Sequence, residues 1–385
     1  MNILVIAPEQ LPIPPIEGGS VESATHQIFS RMAEKDDITL ISRAHPKLPA
    51  ISYSKNRNYK IVRIPLKKPT QYLVAGLEKV KRQSFDLIQI ENRPNFVPIV
   101  RNYFSKTPIV LSLHSLTFMS QLTDKQANKI LNQVNGVTSV VSFLTKTMQK
   151  RFPKHANKFF TSTLGVDPSH FMPKPIYYKK WVRMKWGGSR SYNILFVGRI
   201  VPKKGLHTLV RAVAMVRERN PQVAIIAVGS SWPGAKKETA YMKQVRVLAK
   251  KRKVPIVFTG YIPPSQMNEM YHLGDVFVCP TQYREGFATV NSEAMASGIP
   301  LIASDRGGIR EVVQHMKTGW LVKDYKNPKA FAYAIEQIMT SSELANRFSY
   351  NGRKQAIDYF SWYSTVKTLR KHYLFLSRKN KSKTI

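Results

Sequence analysis

Short apolar runs alternate with longer mixed segments along the whole chain. NILVIAP (2–8), DITLIS (37–42), YKIVRIPL (59–66), FDLIQIEN (85–92), TPIVLSLH (107–114) and GVTSVVSF (136–143) read as strands. VESATHQIFSRMAE (21–34) reads as a helix, with apolar positions recurring at helical spacing. Strands that are apolar on both faces, separated by helical segments, argue for a parallel sheet covered by helices.

The stretch 168–191 interrupts this plan. It carries three prolines and a Gly-Gly pair and reads as a linker. A second α/β series follows in YNILFVGRI (192–200), VAIIAVGSS (223–231), VPIVFTGYI (254–262), DVFVCPT (275–281), IPLIASD (299–305) and GWLVKD (319–324). The fold class expected is therefore α/β, with two doubly wound Rossmann-like domains facing a cleft. Ligands are expected at the carboxyl ends of the strands.

Composition adds limits. A chain of 385 residues is too long for one ordinary core. The single cysteine, Cys279, excludes a disulfide framework and points to a reducing compartment. MNILVIAPEQ reads as a buried strand rather than a signal peptide. No apolar run is long enough to span a bilayer. The formal net charge of +37 would attract anionic lipid, nucleic acid or acidic polysaccharide; simple solubility is the alternative reading. The charge is spread along the chain, and only the tail RKNKSKTI (378–385) is densely basic.

Five stretches carry candidate chemistry, each with a plain structural reading beside it. FVGRIVPKKG (196–205) places Arg199 and Lys204 in a strand-end loop, which suits a diphosphate or is merely basic. REGFATVNSEAMASG (284–298) predicts a helix from about Ala288 or Thr289 to Ser297, stopped by Gly298. Glu285 then precedes the helix, and Glu293 lies more than a turn inside it. Free amides near Gly286, Phe287 and Ala288 would favour an anion, and the carboxylates could hold sugar or ribose hydroxyls. Alternatively Glu285 complements the helix dipole and Glu293 is solvated. Gly18-Gly19 opens a helix after the first strand, for a ligand or as a turn. His114 ends a strand, where clefts form, or is a lone structural histidine. GGIREVV (307–313) repeats the Gly-pair-before-helix arrangement, with Glu311 in the first turn, where it could simply cap the helix or complement its dipole. There is no Walker A loop, no GxGxxG after the first strand, no DxD pair, no GxSxG elbow and no metal-binding cluster.

Together GRIVPKKG, the E-x7-E spacing of EGFATVNSE, EAMASGIPLIAS and GGIREVV resemble the signature of retaining GT-B glycosyltransferases of family GT4 (group 1). The Gly-Gly loop, LSLH, TLGVDPSHF (163–171) and FSW (360–362) fit the same pattern, over about residues 1–375. The resemblance implies an acceptor-binding domain over 1–172, a linker over 173–191 and a nucleotide-sugar domain over 192–360. Over 361–385 it implies a helix returning to the first domain and a basic tail. It implies a metal-independent hexosyltransferase using a UDP- or GDP-linked donor, with no cofactor.

By the same resemblance, Arg199 and Lys204 bind the diphosphate, Glu293 the ribose and Glu285 the transferred sugar. The amides of Gly286, Phe287 and Ala288 contact sugar or phosphate, and His114 faces the sugar. Gly18 and Gly19 approach the diphosphate or acceptor. Thr259, Gly260 and Tyr261 lie by the nucleobase. The acceptor implied is a saccharide, a lipid-linked sugar or an anionic polymer. The sequence departs from the pattern at Ala288, where the family often has Gly, and at Asn291-Ser292, where it usually has apolar residues.

A narrower resemblance, in APEQLPIPPIEGG, FDLIQIENRPNFVP and GSSWPGAKKE, is to spore-coat-associated GT4 proteins of endospore-forming bacteria. It implies cytoplasmic synthesis of a surface or coat polysaccharide and contact with the spore coat. Separately, the basic surface of the first domain predicts peripheral attachment to anionic membrane. Two other function classes stay open: a catalytically inactive coat or sugar-binding protein on the same scaffold, and a nucleic-acid binder. For the latter no recognised module is present.

Overall fold

The computed structural model describes residues 1–186, 192–234 and 237–381. The chain divides into two compact units, one of residues 1–165 and 362–385 and one of residues 166–361.

The first unit is built on eight strands: β1 (Asn2–Ile6), β2 (Asp37–Arg43), β3 (Ile51–Tyr53), β4 (Tyr59–Ile64), β5 (Leu87–Glu91), β6 (Ile109–Leu113), β7 (Gly136–Ser139) and β8 (Phe159–Thr161). Their order is β3-β4-β2-β1-β5-β6-β7-β8, and only the β3–β4 pair is antiparallel. The central strands β1, β5 and β6 are buried along nearly their whole length because helices cover both faces. That is why their sequence reads as continuous apolar runs instead of alternating. The short strands β3 and β8 lack such runs, and the apolar pattern did not announce them. GVTSVVSF also splits: β7 ends at Ser139, and Ser142 and Phe143 already belong to the helix Ser142–Arg151.

The last helix, Trp362–Lys381, packs on the helix Ser20–Met32, as expected of a returning C-terminal helix. Arg370 pairs with Asp36, which also accepts from the N-terminal ammonium at 2.8 Å. The buried Tyr373 donates to Gln89 of β5.

The second unit holds six strands: β9 (Tyr192–Val197), β10 (Val223–Val228), β11 (Ile256–Gly260), β12 (Val276–Cys279), β13 (Leu301–Ser304) and β14 (Trp320–Val322). All are parallel, in the order β11-β10-β9-β12-β13-β14. In both sheets the parallel winding reverses direction, between β1 and β5 and between β9 and β12. Such reversals open a crevice at the carboxyl ends of the flanking strands.

The segment 173–191, expected as a linker, contains the helix Ile176–Lys185. That helix is tied within the second unit by Arg183–Asp275 at 2.7 Å and Lys185–Glu269 at 2.8 Å. Residues 187–191 and the tail residues 382–385 lie outside the described residues, as do Ala235 and Lys236 of GSSWPGAKKE.

Candidate active site

In the second unit the loop after β9 and the loop after β12 flank the winding reversal. They are tied together by Gln282, whose backbone N–H donates to the Lys203 carbonyl at 2.8 Å, and by the Thr281 hydroxyl at 3.2 Å from the same oxygen. This join brings Lys204 Nζ to 2.5 Å from Glu285 Oε1, although 81 residues separate them. Glu285 also accepts from Thr281 Oγ1 at 3.1 Å and from Tyr283 OH at 2.6 Å. Its carboxylate is buried and fully engaged, and its position is set by Gly307. A Cβ on Gly307 would lie 2.5 Å from the Glu285 carbonyl oxygen, and Gly307 holds φ at +61°. The Gly308 N–H then donates to that carbonyl at 3.0 Å. GGIREVV therefore acts by shaping the Glu285 loop.

The electrostatics follow from burial. Desolvation, the largest single influence, pushes the Lys204 ammonium down, but Glu285, Tyr283 and Cys279 together with the Glu285 hydrogen bond more than offset it, and the net pKa is raised. Lys204 is thus a fixed cation. Burial, then Glu285, raises the Tyr283 phenol, so it stays a donor. Burial pushes the Cys279 thiol up to about 12, which keeps it neutral beside Lys204.

Two further cations complete the cluster. Lys203 is depressed by partial burial and by the positive charges of Arg199 and Lys204. Arg199 lies over the Trp232 ring at 5.4 Å and has no ion pair among the described residues. Three cations thus stand against one carboxylate. The amides of Gly286, Phe287 and Ala288 donate to no protein acceptor among the described residues. Ala288 sits in the left-handed region at φ +53°, as the N-cap of the helix Thr289–Ala296. A preference for Gly there has a plain backbone reason.

Glu293 lies inside that helix, as its spacing predicted. Its Oε2 accepts from the buried Tyr271 OH at 2.6 Å, leaving Oε1 without a protein partner among the described residues. Burial raises the Glu293 carboxyl, and the Tyr271 bond partly counters this. Glu293 does not touch the Lys204–Glu285 pair. Thr259 and Gly260 end β11 at the sheet's edge and Tyr261 follows; there Gly229 N–H donates to the Gly260 carbonyl at 3.1 Å. Nothing lies within 4 Å of where a Gly260 Cβ would be. The Phe287 side chain is core, edge-on to Phe360.

The first unit holds its own polar cluster at the β1–β5 reversal. His114 Nε2 lies 2.9 Å from Glu91 Oε2, which fixes the ring. Arg93 forms a two-pronged pair with Glu9, both contacts at 2.8 Å and both residues buried. Gly18 and Gly19 lead into the helix Ser20–Met32. Gly19 (φ +98°) abuts the buried Glu22, so that a Cβ there would sit 2.2 Å from Oε2.

Desolvation raises the Glu22 carboxyl to about 7, with the His114 and Arg93 charges opposing and Glu9 adding. The folded state then keeps a proton that the unfolded chain releases near 4.5. Between those values the folded state holds more protons, so stability falls as pH rises through the window, by about 3 kcal/mol in all. Glu22→Gln should therefore stabilise the protein at pH 8 by roughly that amount, with little gain at pH 4. Urea unfolding at the two pH values measures this, and a pH-independent difference would contradict it.

Lys203, Tyr271, Tyr283, Glu22, Glu9, Arg93 and Glu91 escaped the sequence reading. Lys203 and Glu22 had a signal, being adjacent to Lys204 and in the first turn after Gly18-Gly19. Tyr271 had none, since it meets Glu293 only through the fold. Among the described residues, no group of three or more His, Cys, Asp or Glu side chains is placed to hold a metal ion.

Comparison with known proteins gives a consistent result. Residues 187–355 match the family model for glycosyl transferases group 1. The putative glycosyltransferase YtcC of Bacillus subtilis is 33% identical over 387 residues, covering 99% of this chain and 94% of its own. Spore coat protein SA of the same organism is 29% identical, covering 97% and 99%. Among solved structures, sucrose-phosphate synthase from Thermosynechococcus elongatus superposes with a TM-score of 0.80 at 22% identity, over 98% of this chain and 99% of its own.

Proposed function

The chain belongs to the group 1 glycosyl transferases (GT4), nucleotide-sugar-dependent enzymes of GT-B fold, and we propose that it is a retaining, metal-independent hexosyltransferase. The observation that carries this reading is the cluster of Arg199, Lys203 and Lys204 around a single carboxylate, beside the open amides of Gly286–Ala288. That arrangement suits a diphosphate, whose negative charge grows as the glycosidic bond breaks. Preorganised cations and amides stabilise such charge without reorganising.

In this reading Arg199, Lys203 and Lys204 bind the diphosphate, and Glu285 with Tyr283 holds Lys204 in place. Glu293 Oε1 takes the ribose hydroxyls, and the Gly260 edge lies by the base. Glu285 acts through Lys204 and also borders the transferred sugar. His114, oriented by Glu91, meets the sugar, and Gly18-Gly19 meets the diphosphate or acceptor. The bond from the anomeric carbon to the diphosphate oxygen breaks, the acceptor oxygen bonds to the same face of that carbon, and the released diphosphate oxygen takes the acceptor's proton.

The resemblance to spore coat protein SA by name supports a coat or cell-surface polysaccharide as the product's destination. Incubation with a panel of UDP- and GDP-sugars, followed by NMR of the released and transferred sugar, tests the reading. Slow release of nucleoside diphosphate and retention of anomeric configuration are expected. Inversion would refute the retaining mechanism, and the absence of both turnover and binding for every donor would leave the inactive scaffold.

A further inference from the structure

A groove of about 1080 Å³ runs along the first unit between the helix Ser20–Met32 and the last helix, Trp362–Lys381. It is made wholly of residues outside the site described above. Half of its twelve lining residues are Lys or Arg, and Glu34 is its one acidic residue. Lys35, Lys367, Lys371 and Arg378 are exposed and have no ion pair among the described residues. Lys367, Lys371 and Arg378 follow at spacings of four and seven, so they fall on one face of the last helix. Interleaved on that face are Leu374 and Phe375, the latter 61% exposed, with the buried Met32 as floor.

The rim asks for negative charge, and the floor asks for hydrocarbon. An acidic polysaccharide meets only the first demand, and a nucleic acid could stack a base on Phe375 but offers no aliphatic chain for Leu374 and Met32, whereas a phospholipid meets both. Among the described residues no helix is long and apolar enough to cross a membrane. We propose that this groove is the seat of an anionic phospholipid bilayer surface, with headgroup phosphates on the lysine rim and acyl chain against Phe375 and Leu374. Long basic side chains with an aromatic residue on one helix face bind such surfaces in the interfacial plane. The donor chemistry proposed above plays no part in this inference.

The test is cosedimentation of the full chain with vesicles of phosphatidylglycerol and phosphatidylcholine, or of phosphatidylcholine alone, at low salt. Binding only to the anionic vesicles is expected. Lys367→Glu/Lys371→Glu should weaken it roughly tenfold or more. Phe375→Ser should weaken it several-fold without changing its salt dependence. The exposed pair Lys250→Glu/Lys251→Glu, in the second unit, removes equal charge and should have a much smaller effect. Circular dichroism melting checks that each variant is folded, and Lys367→Gln/Lys371→Gln replaces the reversal if it is not. Absence of wild-type binding, an equal loss in the second-unit pair, or indifference to Phe375→Ser would overturn the proposal. The last result would leave a general polyanion surface.

Discussion

Lys204→Met is expected to lower kcat/KM for the preferred nucleotide-sugar donor by at least about a hundredfold, the usual scale for removing one preorganised charge from a transition state. It carries a second cost. Lys204 and Glu285 form a buried pair, with side chains 17% and 7% exposed. Removing the lysine leaves the carboxylate with only neutral donors, at a stability cost of about 3 kcal/mol. Loss of activity alone would therefore confound chemistry with unfolding.

The double variant Lys204→Met/Glu285→Gln separates them, because it removes the stranded charge while keeping the size of the side chain. Most of the stability should return, with the activity still absent. Thermal melts beside turnover assays read both. A folded Lys204→Met protein turning over at the wild-type rate would remove Lys204 from the site.

The second large effect falls on Glu293. Glu293→Gln keeps the shape and the Tyr271 contact but replaces a charged acceptor with a neutral one. Hydrogen bonds to charged groups are worth about 1.5–3 kcal/mol, so donor KM should rise roughly ten- to a hundredfold. Because ribose contacts are made equally in ground and transition states, kcat should change far less.

Tyr271→Phe offers a pH signature of the same contact. The Tyr271 bond holds the Glu293 pKa down against burial. Without it the carboxyl stays protonated to higher pH, and the acid limb of kcat/KM should move upward. For stability the sign is opposite to that of an ordinary paired carboxylate. The raised pKa means the folded state holds the proton longer, so the Glu293 contribution to stability falls as pH rises above 4.5. An unshifted acid limb in Tyr271→Phe would detach Glu293 from donor binding.

The central strands were legible because each is buried on both faces, as at Leu4–Ile6 or Leu301–Ala303. The helix Thr289–Ala296 and its stop at Gly298 were legible because a left-handed cap leaves a local mark. The residues of the candidate site were legible in part, through loops at strand ends. What the sequence could not convey is who meets whom. Glu285 was expected to border the transferred sugar, and nothing in its spacing announced that Lys204, Thr281 and Tyr283 also hold its oxygens. That arrangement depends on the loops after β9, β12 and β13 converging, with Gly307 admitting the Glu285 backbone. Tyr271–Glu293 is likewise a product of packing, joining two residues 22 apart through no local rule. The length of β3 and β8 was illegible for the converse reason, since short edge strands bury too little to impose a pattern.

Calorimetric titration of UDP and of GDP into the metal-free protein, in the presence of a chelator, tests the central claim most directly. One of the two should bind, more weakly as salt rises, and the affinity should drop sharply in Arg199→Ala/Lys203→Ala. Absence of binding by either nucleotide, or binding unchanged in that double variant, would contradict the assignment of the cationic cluster to a nucleoside diphosphate.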